Sequence, residues 1–312
     1  GQGCFRAHDR PLATRWLRRT LPSEVRHRRR NTPTTLDQEP RQTRGVNLPL
    51  LRYTLGSNII KLVVIGAGLM LMGVIMPVMY AAFGQEVGEF VESVPLLSQF
   101  ANFGGGDLFS LTGSLAMGFS HPFTLLLLGI MAVAFPALAI AGERDKGTRE
   151  VTLSRPISRR GLLLTLDVAG LVFVALLVGV LAVTTAITAV AVGFGDEVEL
   201  VNLAQLWLVS TLLFLGFMAL AFVVSVESDR AAPAIGIPAV FVLLNYLAFT
   251  VGGIWPDVGF LEDWSMFNLL KAQQVLTDGV ALSDLVVLVG FVVLLVAIAF
   301  YRFPRRDLPA PS

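Results

Sequence analysis

The chain has 312 residues, of which 54% are hydrophobic and 15% charged, with a mean hydropathy of +0.69. That profile excludes an ordinary water-soluble globular domain and points to a polytopic membrane protein. A single cysteine, Cys4, excludes an internal disulfide and any multi-thiolate metal site, and the formal net charge of +1 conceals a strong asymmetry along the sequence.

Residues 1–45 hold eleven Arg against four acids, mixed with Pro, Thr and Gln. This segment lacks apolar periodicity and cannot bury enough surface to fold alone. It also lacks the apolar stretch of roughly 7–15 residues that a secretory signal needs. An Arg-rich transit peptide would share its composition. The expectation is a disordered tail or an artefactual upstream extension, with the membrane domain at 46–309. Basic residues alone are a weak sign of nucleic-acid binding, and no nucleic-acid partner is expected.

From residue 46 the elements follow in order. Leu48, Leu51, Leu55 and Ile59 recur at helical spacing, with Arg52, Asn58 and Lys61 available to face water. This is the pattern of an amphipathic helix lying on the inner leaflet and leading into the first span. Runs of about 20 apolar residues suffice to cross a bilayer, and six are present: 62–82, 119–141, 162–194, 203–226, 231–254 and 285–303. The third is long for one crossing and must tilt, protrude or bend. After the first span, Val87, Phe90, Val91 and Val94 form an apolar stripe, limited by Pro95 and Gly104–Gly106. After the fifth, Trp255-Pro256 opens a long loop with Trp264, Phe267, Leu269 and Leu270, expected to fold back onto the outer membrane surface as an interfacial segment. The fold class is therefore an all-α, six-span membrane protein. Pro77, Pro136 and Pro238 each remove a helix hydrogen bond and are expected to kink their spans.

Six spans put both termini on one side. Arg52, Lys61, Arg144, Lys146, Arg149, Arg155, Arg159, Arg160, Arg230, Arg302, Arg305 and Arg306 then share that side, whereas the other has only Lys271 among twelve acids. The positive-inside rule makes the basic side cytoplasmic, both termini included.

Chemical motifs are mostly missing. The sequence has no GxxxxGK[ST] phosphate loop, HExxH or paired-Cys pattern, and its serines lack a GxSxG context. Catalytic residues, a bound cofactor and a metal site are thus not expected. His8, His27 and His121 are scattered, and His121, before Pro122, reads as an interfacial polar residue at the outer mouth of the second span. Asp167 is the one ionisable side chain clearly inside a span. It is about 12 Å along the helix from Arg159, and Arg160 lies on nearly the same face. It could be paired locally or belong to an intramembrane polar site. Asn245 is a second candidate for that site, although helix–helix hydrogen bonding explains it and Tyr246 equally well.

Between the second and third spans lies the densely charged stretch GERDKGTREVTLSRPISRRGLLL, residues 142–164. Its charges flank Leu153 and Ile157, and Gly147 and Pro156 supply turns. This suits polar registration around an apolar contact, although charges here also enforce topology and bind headgroups. Ala141-Gly142-Glu143, Gly147-Thr148, Glu150, Leu153 and Arg155-Pro156-Ile157-Ser158-Arg159 resemble the first cytoplasmic loop of type-2 ABC exporter permeases. Arg305-Arg306-Asp307-Leu308 after the last span is also similar. The resemblance spans about 46–309. Arg149 and Thr152 depart from it, standing where relatives commonly have apolar residues, and Asp167 is unusual at the start of a third helix.

The resemblance implies a permease subunit of an ATP-driven exporter, without an ATPase site of its own, in the plasma (inner) membrane. ATP would be bound by a separate cytoplasmic ABC ATPase. A second permease copy or paralogue would complete the transport path, and the lipid bilayer is the remaining partner. Glu143, Gly147, Thr148, Glu150, Leu153, Arg155, Pro156, Ser158 and Arg159 would form the coupling loop docked on the ATPase. An ion-coupled secondary transporter would ordinarily show several midplane ionisable groups and repeated halves; it and a membrane-embedded assembly scaffold are the alternatives.

Overall fold

A computed structural model describes residues 45–92, 109–146 and 158–305, with side chains described to residue 84 in the first segment. Contacts divide the chain into Gly1–Arg41 and Gln42–Ser312, and the described residues belong to the second unit. The expectations for residues 1–44 lie outside them.

The described residues form ten α-helices: α1 Leu48–Ser57, α2 Ile59–Glu92, α3 Leu111–Ser120, α4 Pro122–Asp145, α5 Arg159–Ala191, α6 Leu200–Glu227, α7 Ala231–Ile254, α8 Phe260–Trp264, α9 Ala272–Asp278 and α10 Leu282–Arg302. Three short 3-10 turns join them and no strand is present among the described residues. Six segments are long and apolar enough to cross a membrane: α2, α3 with α4, α5, α6, α7 and α10. The chain is thus an all-α polytopic membrane protein, as its hydropathy indicates. Of the spans, α6 is the most enclosed, and α7 and α10 the least. The core gathers on α6, which packs against α4, α5, α7 and α10, while α2 packs against α5. At Gly73 a Cβ would meet Thr184 Cβ at 2.9 Å and Leu181 O at 3.0 Å, so only glycine lets α2 and α5 approach this closely.

α1 forms where expected. Asn47 caps it by accepting from Leu50 N at 2.9 Å, and Pro49 sits in its first turn. Leu51 and Leu55 pack toward the core, whereas Leu48 and Ile59 are exposed. Asn58, expected to face water, is buried instead. It breaks the helix between α1 and α2, donates to Thr54 O at 2.9 Å and accepts from Lys61 Nζ at 3.0 Å. Its amide satisfies a carbonyl that the break leaves open.

Three boundaries depart from the sequence reading. α2 runs on to Glu92, so Val87–Val91 continue the first span's helix rather than open a separate element. The second span is preceded by α3, which the hydropathy runs did not separate. Ser110 caps it through Gly113 N at 3.0 Å, Ser114 Oγ donates to Met76 O at 3.0 Å, and nearly the whole helix is buried. It ends at His121, whose extended backbone and Nδ1, accepting from Phe123 N at 3.1 Å, start α4 with Pro122 in its first turn. His121 is therefore a helix cap inside a broken span.

The third departure is the outer loop, which enters the bundle rather than lying on the membrane surface. Phe267 is 1% exposed, with ring centroids 5.2 Å from Phe217, 6.0 Å from Tyr246 and 6.4 Å from Phe249. Leu270, Val275 and Leu276 are also buried. Trp264, at 85% exposed, follows the interfacial expectation, as do the exposed Trp255 and Phe260. Asn245 Oδ1 accepts from Met266 N at 3.0 Å and its carbonyl accepts from Ser265 Oγ at 2.8 Å. At Gly252 a Cβ would meet Glu262 Cβ at 2.8 Å, which is how α8 lies against α7. Gln273 Nε2 donates to Ser110 Oγ at 3.0 Å, Asn202 Nδ2 to Leu276 O at 3.0 Å, and Lys271 pairs with Asp284 at 2.9 Å. These bonds close the outer end.

Candidate functional site

The charged 142–160 loop leaves the bundle at the C-terminus of α4 and rejoins it at the N-terminus of α5. Glu143, half-buried, lies in the last turn of α4. Lys146 caps that helix, its N–H reaching Gly142 O. At the return, Ser158 Oγ accepts from Gly161 N at 3.0 Å and begins α5. Arg159 Nη1 donates to Pro304 O at 3.3 Å, beyond α10. Gly147, Thr148, Glu150, Leu153, Arg155 and Pro156 lie outside the described residues.

The residue that most ties this end together is Arg144, which carried no weight in the motif. Its Nη1 donates to Val226 O at 2.8 Å, Ser228 O at 2.9 Å and Ser225 O at 3.4 Å. Those carbonyls end α6, where helical acceptors lack partners and a cation is favoured by the helix dipole. Asp145 Oδ2 accepts from Ala231 N at 3.4 Å, at the first residue of α7. Arg302 pairs with Glu227 at 2.6 Å, joining α10 to α6. Asn47 N donates to Thr165 Oγ1 at 3.0 Å, joining α1 to α5. One hint of Arg144's role lay in the sequence: a cation at one helix end and a three-residue turn, Ser228–Arg230, at another. Distance in sequence hid their meeting.

The basic residues of α1, the loop ends, the α6–α7 turn and the α10 terminus thus share one end of the bundle. Lys271, Asp284 and the described acids between α5 and α6 and between α7 and α10 lie at the other. Between the ends, α4 and α7 enclose an open groove of about 550 Å³, walled by Leu125, Leu126, Ile130, Val242, Leu243 and Tyr246 among others. Of the two polar candidates in the spans, Asp167 has a buried Oδ2 with no hydrogen-bond partner among the described residues, and Arg160 is exposed. Asn245 is committed to the outer loop and to Phe241 O, at 3.0 Å. The structure does not bring the two together in one site.

A family model described as ABC-2 family transporter protein matches residues 58–308, well over half of the chain. No curated protein matches the chain.

Proposed function

Since the chain belongs to the ABC-2 transporter family and is a membrane permease component of an ABC transporter, we propose that it couples ATP hydrolysis by a separate cytoplasmic ATPase to export across the plasma membrane. The 142–160 loop is the coupling element in this reading, and a second permease copy or paralogue completes the path. The observation that carries it is the construction of the inner end. The loop springs from α4 and α5 at a point where α6, α7 and α10 are cross-tied by Arg144, Asp145, Arg159 and the Arg302–Glu227 pair. A force on the loop therefore meets a connected frame rather than a single helix. The charge pattern supports cytoplasmic termini. The apolar walls of the α4–α7 groove suit a hydrophobic or amphipathic cargo.

Glu143→Ala and Gly147→Val test the reading. Both variants should remain in the membrane while losing ATPase co-purification or substrate-stimulated hydrolysis. The weakening expected is on the order of 1–3 kcal/mol, as for removal of a charge-assisted bond at an interface. Full complex recovery with full stimulation in both variants would reduce the loop to a topology determinant.

A further inference from the structure

We infer that Arg144 is a positioning residue that carries movement of the 142–160 loop into α7, and so sets the width of the groove between α4 and α7. The inference rests on the coupling reading above. Arg144 grips the end of α6 through three backbone carbonyls, and the neighbouring Asp145 meets the first N–H of α7. One turn of α4 therefore holds both sides of the Ser228–Arg230 link. Three residues of link leave little slack, so a shift of that turn moves the start of α7 along with the end of α6.

Just inside this clamp, α4 and α7 touch through Ala137, Ala141 and Ala234, each 0% exposed, with Ile235 beside them. Methyl-sized side chains let two helices approach closely without interlocking, a contact that allows rotation. Farther from the clamp the same two helices enclose the groove. Otherwise α7 is weakly enclosed and is held at its far end by the Asn245 and Gly252 contacts with the outer loop. A helix tethered at both ends, with a pivot near one of them, converts a small displacement at the clamp into a change in the middle. Lysine would keep the charge at position 144, but its compact ammonium is more strongly hydrated than a guanidinium and gives up more on leaving water for these carbonyls.

The test uses the permease–ATPase complex with Cys4→Ser and one new cysteine, either Leu243→Cys on α7 or Leu126→Cys on α4, both exposed in the groove wall. Each carries an environment-sensitive fluorophore, and its emission is read with and without a non-hydrolysable ATP analogue. With Arg144 present, both sites respond. With Arg144→Gln, complex recovery is unchanged and the Leu126 site still responds. The Leu243 response falls by about tenfold, the factor that ~1.4 kcal/mol represents. Arg144→Lys, which keeps a cation at the end of α6 should the Gln variant fold poorly, gives a smaller loss confined to the Leu243 site. A Leu243 response that survives both substitutions overturns the inference, as does equal loss at both sites. Failure of the coupling reading looks different: neither site responds to nucleotide even with Arg144 in place.

Discussion

The two ends of the bundle are closed by different means. The inner end is held by charged side chains reaching backbone carbonyls and each other, as in Arg144 to α6, Arg159 to Pro304 and Arg302 to Glu227. The outer end has hydrogen bonds and the Lys271–Asp284 pair of its own, but adds packed volume that the inner end lacks: Phe267 and its ring neighbours, the buried helix α3, and α9 inserted beside it. Packed rings resist displacement because every shift opens a void. Bonds from a long guanidinium to a row of carbonyls tolerate sliding, because the donor can pass from one acceptor to the next. The contrast teaches which end is built to stay and which to shift.

Breaking the outer end should have the largest effect. Phe267→Ala removes the ring on which Phe217, Tyr246 and Phe249 converge, with an expected loss of about 3–5 kcal/mol. Thermal inactivation of purified protein should show it as a large drop in melting temperature. An unchanged melting temperature would mean that the outer end is not held by volume. At the inner end, Ser158→Ala removes the cap of α5 at a cost of about 1 kcal/mol. The same melting assay should give a small shift, with chymotryptic cleavage near the start of α5 becoming faster. A loss as large as that of Phe267→Ala would erase the contrast.

The smallest effect sharpens the comparison by pH. Burial first, and the neighbouring Asp263 charge second, raise the pKa of Glu262 above its ordinary value. The folded state therefore holds its proton more tightly than the unfolded chain does, and stability falls as pH rises through the window between the ordinary and raised values. Melting temperature followed across that window should decline slightly in the unsubstituted protein and flatten in Glu262→Gln. The same slope in both would place the titrating group elsewhere.

Spans were legible because the bilayer imposes a length on any apolar helix, and α6 and α7 match their hydropathy runs to within a few residues. Which apolar residues face protein was not legible. Phe267 and Trp264 are large aromatic residues three positions apart in one loop, yet one is in the core and the other in the open. Hydropathy measures transfer out of water and is silent on whether lipid or side chain receives the group. The break at His121 did carry a signal, a capping residue followed by Pro, but the apolar run across it was stronger. At the candidate site the loop's charges were plain. The partners of Arg144 were not, since backbone carbonyls about 80 residues away carry no residue-type signature.

One feature of α10 bears on the membrane itself. It is the shortest span, 21 residues, and an ion pair marks each end: Lys271–Asp284 at one and Arg302–Glu227 at the other. Asp284 and Arg302 are separated by about 27 Å of helix, close to the hydrocarbon thickness of roughly 30 Å. The 33-residue α5 can meet a thicker membrane by standing more upright. α10 has no such reserve, and a thicker bilayer must either thin around it or draw one charged pair into hydrocarbon. Through this last span, the choice of lipid acts directly on the protein.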